Sequence, residues 1–323
     1  LGVAYARGLG AEQNDTRAAQ WFDQSARRGY ARAQYRLGLC FRDGVGVKAD
    51  PRKALDWLRK AAAQGHTPAR RRLEELEPQT PEQLFRLYQQ ESDQTKRMEY
   101  LKKSAEQGYA LARIELGNCY AQGRGVKKDS AQAMEWYRKA AQQGYPWAQC
   151  NLGLCYEYGR GVEQDTTMAV QWYRKAAEQG LDEAQNNLGN CYYLGIGVER
   201  NLAQAAQWYR KAADQGYAPA QWQLGDCYSD GYGVEKDPAQ AVHWYRKAAD
   251  QGNKSAQCAL ADCYENGRGV KQDAVQAAEW YRKAAEQGNK DAQRALADCY
   301  ENGRGVPKDA NQAAYWREKA KNN

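Results

Sequence analysis

A nine-residue segment that recurs through the chain constrains its fold more than any other feature. The segment WYRKAAEQG occupies residues 172–180 and returns unchanged at residues 280–288. Its opening aromatic residue, or an equivalent aromatic residue, recurs every 36 residues, apart from one step of 43 residues. These residues are Trp21, Trp57, Tyr100, Trp136, Trp172, Trp208, Trp244, Trp280 and Trp316. A period of this length predicts a stack of small structural repeats instead of a single central core.

Each repeat has the pattern of two helices joined by a turn. In the repeat at residues 145–180, Ala148, Leu152 and Cys155 have the spacing of one helix face. A Gly-x-Gly pair then breaks the helix, and Asp165 is placed to cap a second helix, because its carboxylate can accept from free backbone N–H groups. Residues able to form such a cap stand at this position in all nine repeats: Asn14, Asp50, Asp93, Asp129, Asp165, Asn201, Asp237, Asp273 and Asp309.

The period predicts an all-α fold of about nine helical hairpins in a single array over residues 1–323. Alone, a hairpin cannot cover its aromatic stripe, whereas stacked neighbours cover it for each other. The predicted repeats are residues 1–29, 30–65, 66–108, 109–144, 145–180, 181–216, 217–252, 253–288 and 289–323. The recurring residues are therefore spent on folding, and recognition is expected to lie in the residues that differ between repeats.

Two repeats depart from the pattern. The third, at residues 66–108, lacks the Gly-x-Gly pair, and Pro81 followed by EQLFRLYQQ predicts an extra short helix near residues 81–91. This departure is either drift within a tolerant loop or a functional break near residue 80, with the first interpretation favoured. In the ninth repeat Arg317 replaces the core Tyr, which suits a terminal cap with a solvated outer face.

Composition and charge narrow the function classes. The chain is 42% hydrophobic, and it has no apolar run long enough for a membrane span. The net charge is +7, and residues 1–107 account for six of these charges. Because this excess is mild and confined to one part of the chain, nucleic-acid binding is not predicted. The Arg-Lys pair that each repeated segment carries is expected to form a solubilising row with surface ion pairs. The sequence starts at Leu1, inside a repeat, so the natural N-terminus is expected to lie upstream.

The cysteines and histidines point away from catalysis and metal binding. Seven of the nine cysteines share one position of the repeat, and helix packing keeps them too far apart for disulfides. We therefore predict free, mostly buried thiols, which weakly favour a cytoplasmic location over a periplasmic or secreted one. The two histidines, His66 and His243, have no plausible triad partners. No catalytic residue, metal ligand or cofactor is predicted, and the Gly-x-Gly pairs are turn glycines.

The pattern A-x-x-x-L-G-x-x-Y-x-x-G-x-G-V-x-x-D-x-x-x-A-x-x-W-Y-x-K-A-A-x-x-G resembles the Sel-one-like repeat (SLR), a relative of the tetratricopeptide repeat. The resemblance implies a right-handed α/α superhelix, or solenoid, whose first helices line a concave wall. It also implies a non-enzymatic scaffold or adaptor, with bacterial proteins prominent among its relatives. A narrower alternative is an immunity protein that occludes the active site of a secreted toxin. A β-lactam-binding enzyme is remote, because most repeats lack the second Cys of that branch.

Residues that vary on the first helices are the candidate partner-binding site. An apolar patch in the middle of the array is followed by acidic residues toward the C-terminus, which favours a protein or peptide partner with a basic segment. The candidates are Trp147, Leu154, Tyr158, Asn187, Asn190, Tyr193, Leu194, Trp222, Asp226, Asp230, Asp262 and Asp298. The alternative is that Trp147 and Trp222 only cover seams between repeats. A monomer is expected in the absence of a partner.

Overall fold

The computed structural model describes residues 1–76 and 80–322, and within them it contains helices and no strand. The first seven helices are α1 Gly2–Arg7, α2 Asp15–Arg27, α3 Ala31–Asp43, α4 Pro51–Ala63, α5 Thr67–Leu76, α6 Pro81–Gln90 and α7 Gln94–Glu106. The next six are α8 Ala110–Gln122, α9 Ser130–Gln142, α10 Pro146–Tyr158, α11 Thr166–Glu178, α12 Asp182–Leu194 and α13 Leu202–Asp214. The last six are α14 Ala218–Asp230, α15 Pro238–Asp250, α16 Lys254–Asn266, α17 Ala274–Glu286, α18 Lys290–Asn302 and α19 Ala310–Asn322. The prediction of an all-α repeat fold is confirmed.

The backbone divides into two compact units, Leu1–Arg86 and Leu87–Asn323. In the first unit, Ala19, Phe22 and Leu37 belong to a buried apolar cluster. In the second unit, first and second helices alternate from α8 to α19, and each first helix packs on the second helix that follows it. The third repeat contains the helix α6 at the place where the sequence predicts an extra one, and residues 77–79 lie outside the described residues.

The predicted caps hold the start of every second helix. The side chain at each of the nine cap positions accepts a hydrogen bond from a backbone N–H of the first turn. Asp165, for example, accepts from the Met168 N–H at 2.9 Å. A cap of this kind contributes about 1 kcal/mol, so nine of them help to fix where each hairpin turns.

In most repeats the second glycine of the Gly-x-Gly pair is needed for contact with the preceding repeat. Gly161 has a φ of 77°, in the left-handed region, and its α-carbon faces the first turn of α9 in the preceding repeat. A side chain at Gly161 would overlap the Ser130 carbonyl. Gly197, Gly233 and Gly269 meet the preceding repeat in the same way. The loop therefore combines backbone freedom with a close approach, and only glycine supplies both.

Buried glutamines link consecutive hairpins. The Gln185 side-chain amide donates to the Ala177 carbonyl of the preceding repeat at 3.1 Å. Its carbonyl oxygen accepts from the Gln215 side chain of the following second helix at 2.9 Å. Gln221 and Gln257 repeat both bonds, which satisfies polar groups that would otherwise be costly to bury.

The Arg-Lys pairs differ from the solubilising row that the sequence predicts. Lys175 lies over the Trp172 ring, with its Nζ 4.1 Å from the ring centroid. Arg174 donates to the Tyr192 hydroxyl of the next repeat at 2.7 Å. The same two contacts recur at the next three repeats. Because one partner belongs to the neighbouring hairpin, the row joins repeats as well as facing solvent.

Candidate functional site

Three of the polar candidates on the first helices bind the core tyrosines of their own repeats. The Tyr209 hydroxyl donates to the Asn190 Oδ1 at 2.8 Å. The Tyr245 hydroxyl donates in the same way to the Asp226 Oδ1 at 2.7 Å, and Tyr281 bonds to Asp262. These side chains are half-buried, so they contribute to the hairpin and present only part of their surface outward.

In two repeats the residues at these two positions have different hydrogen-bond or ion-pair partners. Leu154 stands at the position of Asn190, and there the Tyr173 hydroxyl donates to Glu157 at 2.5 Å instead. In the last repeat Arg317 takes the place of the tyrosine and pairs with both Asp298 and Glu301. Leu154 is thereby left as a half-buried apolar residue with no hydrogen-bonding role.

Burial changes the proton affinity of the acidic candidates. The pKa of Asp226 is raised to about 6, chiefly by burial away from water and to a smaller extent by the Asp230 charge, and the Tyr245 hydrogen bond opposes this rise. The pKa of Asp262 is raised for the same main reason, burial. Asp230 is exposed. At neutral pH these carboxylates make the C-terminal first helices acidic.

The apolar candidates that are most exposed lie near the ends of two neighbouring first helices. Trp147 is 54% exposed and Tyr158 is 56% exposed, at opposite ends of α10, and Leu194 at the end of α12 is 60% exposed. In the second unit, five of the seven exposed large apolar side chains lie on or beside α8, α10 and α12. The sequence reasoning missed two of the five, Leu111 and Tyr145, although both stand at positions that vary between repeats.

The other apolar candidates are less open. Tyr193 is half-buried, packs edge-on against Tyr232 at 5.9 Å between centroids, and has Arg200 over its ring. Trp222 is half-buried against a buried apolar cluster that begins on the second helix of its own repeat and continues into the next two repeats. The Asn187 amide points to the Cys150 sulfur at 3.6 Å. Trp147 and Trp222 thus have different environments, because one faces solvent and the other lies along a seam.

The cysteines are free, as the sequence predicts, and eight of the nine are buried. Burial raises the pKa of Cys150 to about 12, which makes its thiol a poor nucleophile at neutral pH. In the described residues, 1–76 and 80–322, no three His, Cys, Asp or Glu side chains are grouped as a metal site. Over the same residues, no helix has both the length and the apolar character that crossing a membrane requires.

The fold defines a class, that of helical-hairpin repeat proteins, and the sequence comparisons give the family. The model of the Sel1 repeat matches residues 1–30, 31–66, 88–109, 110–145, 148–181, 182–217, 218–253, 254–289 and 290–323. The chain therefore belongs to the Sel1 repeat family, as its repeat pattern indicates. Sel1 repeat proteins mediate protein–protein interactions and are typically non-catalytic. The comparison with curated proteins gives no match.

Solved structures of bacterial Sel1 proteins are similar to this chain. A Sel1 repeat protein from Oxalobacter formigenes is 38% identical with a TM-score of 0.68, over 74% of this chain and 96% of that one. The c5321 protein, described as a protective antigen of uropathogenic Escherichia coli with an SLR fold, is 33% identical with a TM-score of 0.53. That match covers 100% of this chain and 75% of the other. The immunity protein Pa5087 from Pseudomonas aeruginosa is 21% identical with a TM-score of 0.45, over 66% of this chain and 81% of that one.

Proposed function

We propose that this protein is a non-enzymatic interaction scaffold that binds a protein or peptide partner along the first helices of its fourth to eighth repeats. The observation that carries the proposal is the grouping of exposed apolar side chains on α8, α10 and α12. Trp147, Tyr158 and Leu194 each expose more than half of their surface. The position that Tyr158 and Leu194 share is Asp or Asn in the last three repeats. Exposed aromatic side chains of this kind supply most of the affinity in protein interfaces.

Charge supports a basic segment in the partner. The positions of Tyr158 and Leu194 are filled by Asp230 in the seventh repeat, and Asp226 and Asp262 lie on the same row of first helices. A partner whose apolar residues bind α10 and α12 would place its neighbouring residues beside these carboxylates. Opposite charges across such a surface favour encounter and fix orientation more than they add affinity. Asn187, Asn190, Tyr193, Trp222 and Asp298 would form the polar and half-buried margin.

Affinity capture tests the proposal directly. The full chain is immobilised and exposed to an extract of its source cells, and captured proteins are identified by mass spectrometry. The partner is then purified and its affinity is measured for the wild type and for the triple variant Trp147→Ala, Tyr158→Ala, Leu194→Ala. We expect the triple variant to lose at least about thirtyfold in affinity, since two or three anchors each contribute about 1–2 kcal/mol.

A matched control separates recognition from general stickiness. Val275 and Tyr315 are also exposed, at 54% and 47%, but they lie on the second helices α17 and α19. The double variant Val275→Ala, Tyr315→Ala should bind the partner as the wild type does. Equal losses in both variants, or no loss in the triple variant, would contradict the proposal.

The same experiment tests the narrower role of an immunity protein. In that case the purified partner is a secreted toxin, the complex is one-to-one, and adding the chain abolishes the toxin's activity. The triple variant should then restore toxin activity. A partner with no toxic activity leaves the scaffold function in place and excludes the narrower role.

A further inference from the structure

The irregular third repeat forms a pocket of about 530 Å³ with the first half of the fourth repeat, and none of the candidate partner-binding residues lines it. Its lining comes from the end of α6, the segment before α7, the first turns of α7, the end of α8 and the loop after α8. The lining residues are Tyr88, Ser92, Gln94, Arg97, Met98, Cys119, Gly123, Arg124 and Gly125. These nine residues supply two guanidinium groups and no carboxylate.

Arg97 distinguishes the third repeat from the other eight. In the other eight repeats the equivalent position of the second helix is a buried alanine, no more than 3% exposed. These alanines are Ala18, Ala54, Ala133, Ala169, Ala205, Ala241, Ala277 and Ala313. Arg97 is exposed and reaches over the Tyr88 ring, with its guanidinium 4.7 Å from the ring centroid. A charged group therefore stands where the repeat otherwise requires a methyl group.

The loop after α8 also lacks the close backbone contact that the equivalent loops of later repeats make with the preceding second helix. At Gly161, Gly197 and Gly233 an added side chain would overlap a backbone carbonyl of the preceding second helix. At Gly125 the nearest atoms belong instead to the Met98 side chain, at 3.0 Å from the position of an added Cβ. The three nearest atoms at Gly125 are thus side-chain atoms, and Gly125 lines the pocket.

One carboxylate, that of Glu115, helps to position both guanidinium groups. Glu115 accepts from Arg124 at 3.1 Å and from the Tyr88 hydroxyl at 2.8 Å, so one carboxylate orients one cation and the ring beneath the other. Both cations also act on the Cys119 thiol. Burial and Glu115 raise its pKa, and the charges of Arg124 and Arg97 oppose that rise. Both guanidinium groups line the pocket together with Cys119.

We propose that this pocket is an anion-binding site for a small organic molecule that carries a carboxylate or phosphate group. Arg97 and Arg124 form its two cationic walls, and the Ser92 hydroxyl and Gln94 amide supply further donors. Guanidinium groups pair with both kinds of oxyanion through paired N–H donors. The volume exceeds that of an inorganic anion and lies in the range of small-ligand pockets, and Met98 and Cys119 offer an apolar floor to the body of the ligand.

Calorimetric titration of the full chain at low ionic strength tests this site, with citrate and inorganic phosphate as separate probes. Sodium chloride at matched ionic strength serves as the blank. We expect at least one probe to bind with a 1:1 stoichiometry. The arm with the lower Kd identifies the group, carboxylate or phosphate, that the site prefers.

The variant Arg97→Ala restores the residue that the other eight repeats carry, so the fold should tolerate it. We expect it to weaken probe binding about tenfold, as the loss of a charge-assisted pair would. Arg124→Gln, which removes the opposite cation, should act similarly. Arg138→Ala is the control, because it removes an equal charge from the exposed side of α9, where Arg138 pairs with Glu135. Failure of both probes to bind, or unchanged affinity in the Arg97 and Arg124 variants, would overturn the proposal.

Discussion

The first helices of the middle repeats and those of the C-terminal repeats share one buried skeleton and differ in what they present to solvent. Helices α8, α10 and α12 carry exposed Leu, Trp and Tyr side chains, whereas α14, α16 and α18 expose none among their described residues. Both groups place a fully buried Leu, such as Leu188 and Leu260, at the same position. The difference shows that the repeat fixes the fold, and that the remaining positions are free to set what each part of the surface contacts.

The largest expected effect is on the free energy of unfolding, which should depend strongly on the buried residues of the repeat and weakly on the exposed ones. Tyr209 is 1% exposed and its hydroxyl bonds to Asn190. Tyr209→Ala should lower the free energy of unfolding by about 3–5 kcal/mol, because it leaves a cavity and an unpaired acceptor. Trp147→Ala, on the exposed surface, should change it by less than about 0.5 kcal/mol. Chemical denaturation of both variants checks this, and similar losses would erase the distinction between the two classes of residue.

The second prediction concerns affinity for the captured partner. Trp147→Ala should weaken binding by about 10- to 30-fold, as the loss of a central aromatic anchor does. Val275→Ala is the matched control, since Val275 is equally exposed on a second helix. Surface plasmon resonance with the purified partner measures both. A larger loss from Val275→Ala than from Trp147→Ala would place recognition on the other side of the hairpins.

The third prediction compares two equivalent hydrogen bonds, Tyr209 to Asn190 and Tyr245 to Asp226. Because burial raises the pKa of Asp226 to about 6, the folded protein binds this proton more tightly than the unfolded chain does. The resulting stability is present below about pH 4 and is lost as the pH rises through about 6. Asp226→Asn, which copies the sixth repeat, should therefore raise the free energy of unfolding at pH 7.5 by about 1–2 kcal/mol.

Chemical denaturation of the wild type and of Asp226→Asn at pH 4 and at pH 7.5 measures this change in the free energy of unfolding. The gain should be small at pH 4, where the carboxyl is protonated in the folded state and about half protonated in the unfolded chain. Asp230→Asn is the comparison, because Asp230 is exposed and its charge is only a minor cause of the raised Asp226 pKa, so its gain at pH 7.5 should be much smaller. A gain for Asp226→Asn that does not depend on pH would show that the charge of Asp226 is not its cause.

The smallest expected effect is kinetic. If the acidic first helices attract a basic segment, Asp230→Asn should lower the association rate by about two- to threefold at low salt and leave the dissociation rate unchanged. The effect should disappear at about 0.5 M salt, where charges are screened over a few Å. Stopped-flow measurements at both salt concentrations test this. An association rate that is insensitive to both changes would remove the electrostatic part of the account.

Local chemistry made much of the fold predictable. The nine caps, the turn glycines and the free cysteines depend on residues within one repeat, and all are present in the structure. The bond from Arg174 to Tyr192 was missed, because it joins two repeats and no periodicity within one repeat reveals it. The role of Asp226 as an acceptor for Tyr245 was missed for a similar reason, since the two residues lie on different helices.

The candidate site could be predicted only in outline. Variation between repeats identified Trp147, Tyr158 and Leu194, which are exposed, but it gave equal weight to Trp222, which packs along a seam. The sequence cannot separate these cases, because exposure depends on how the neighbouring repeat packs. Partner binding by these residues stays a prediction.

Hydroxyl-radical footprinting of the chain, alone and in complex with its purified partner, tests the central claim most directly, because it reports the solvent exposure of individual side chains. Trp147 and Tyr158 on α10 and Tyr315 on α19 are all about half exposed, so each should be oxidised in the free chain. The account predicts that the partner protects Trp147 and Tyr158 and leaves Tyr315 unchanged. Protection of Tyr315 and the second helices, with Trp147 and Tyr158 still oxidised, would contradict it.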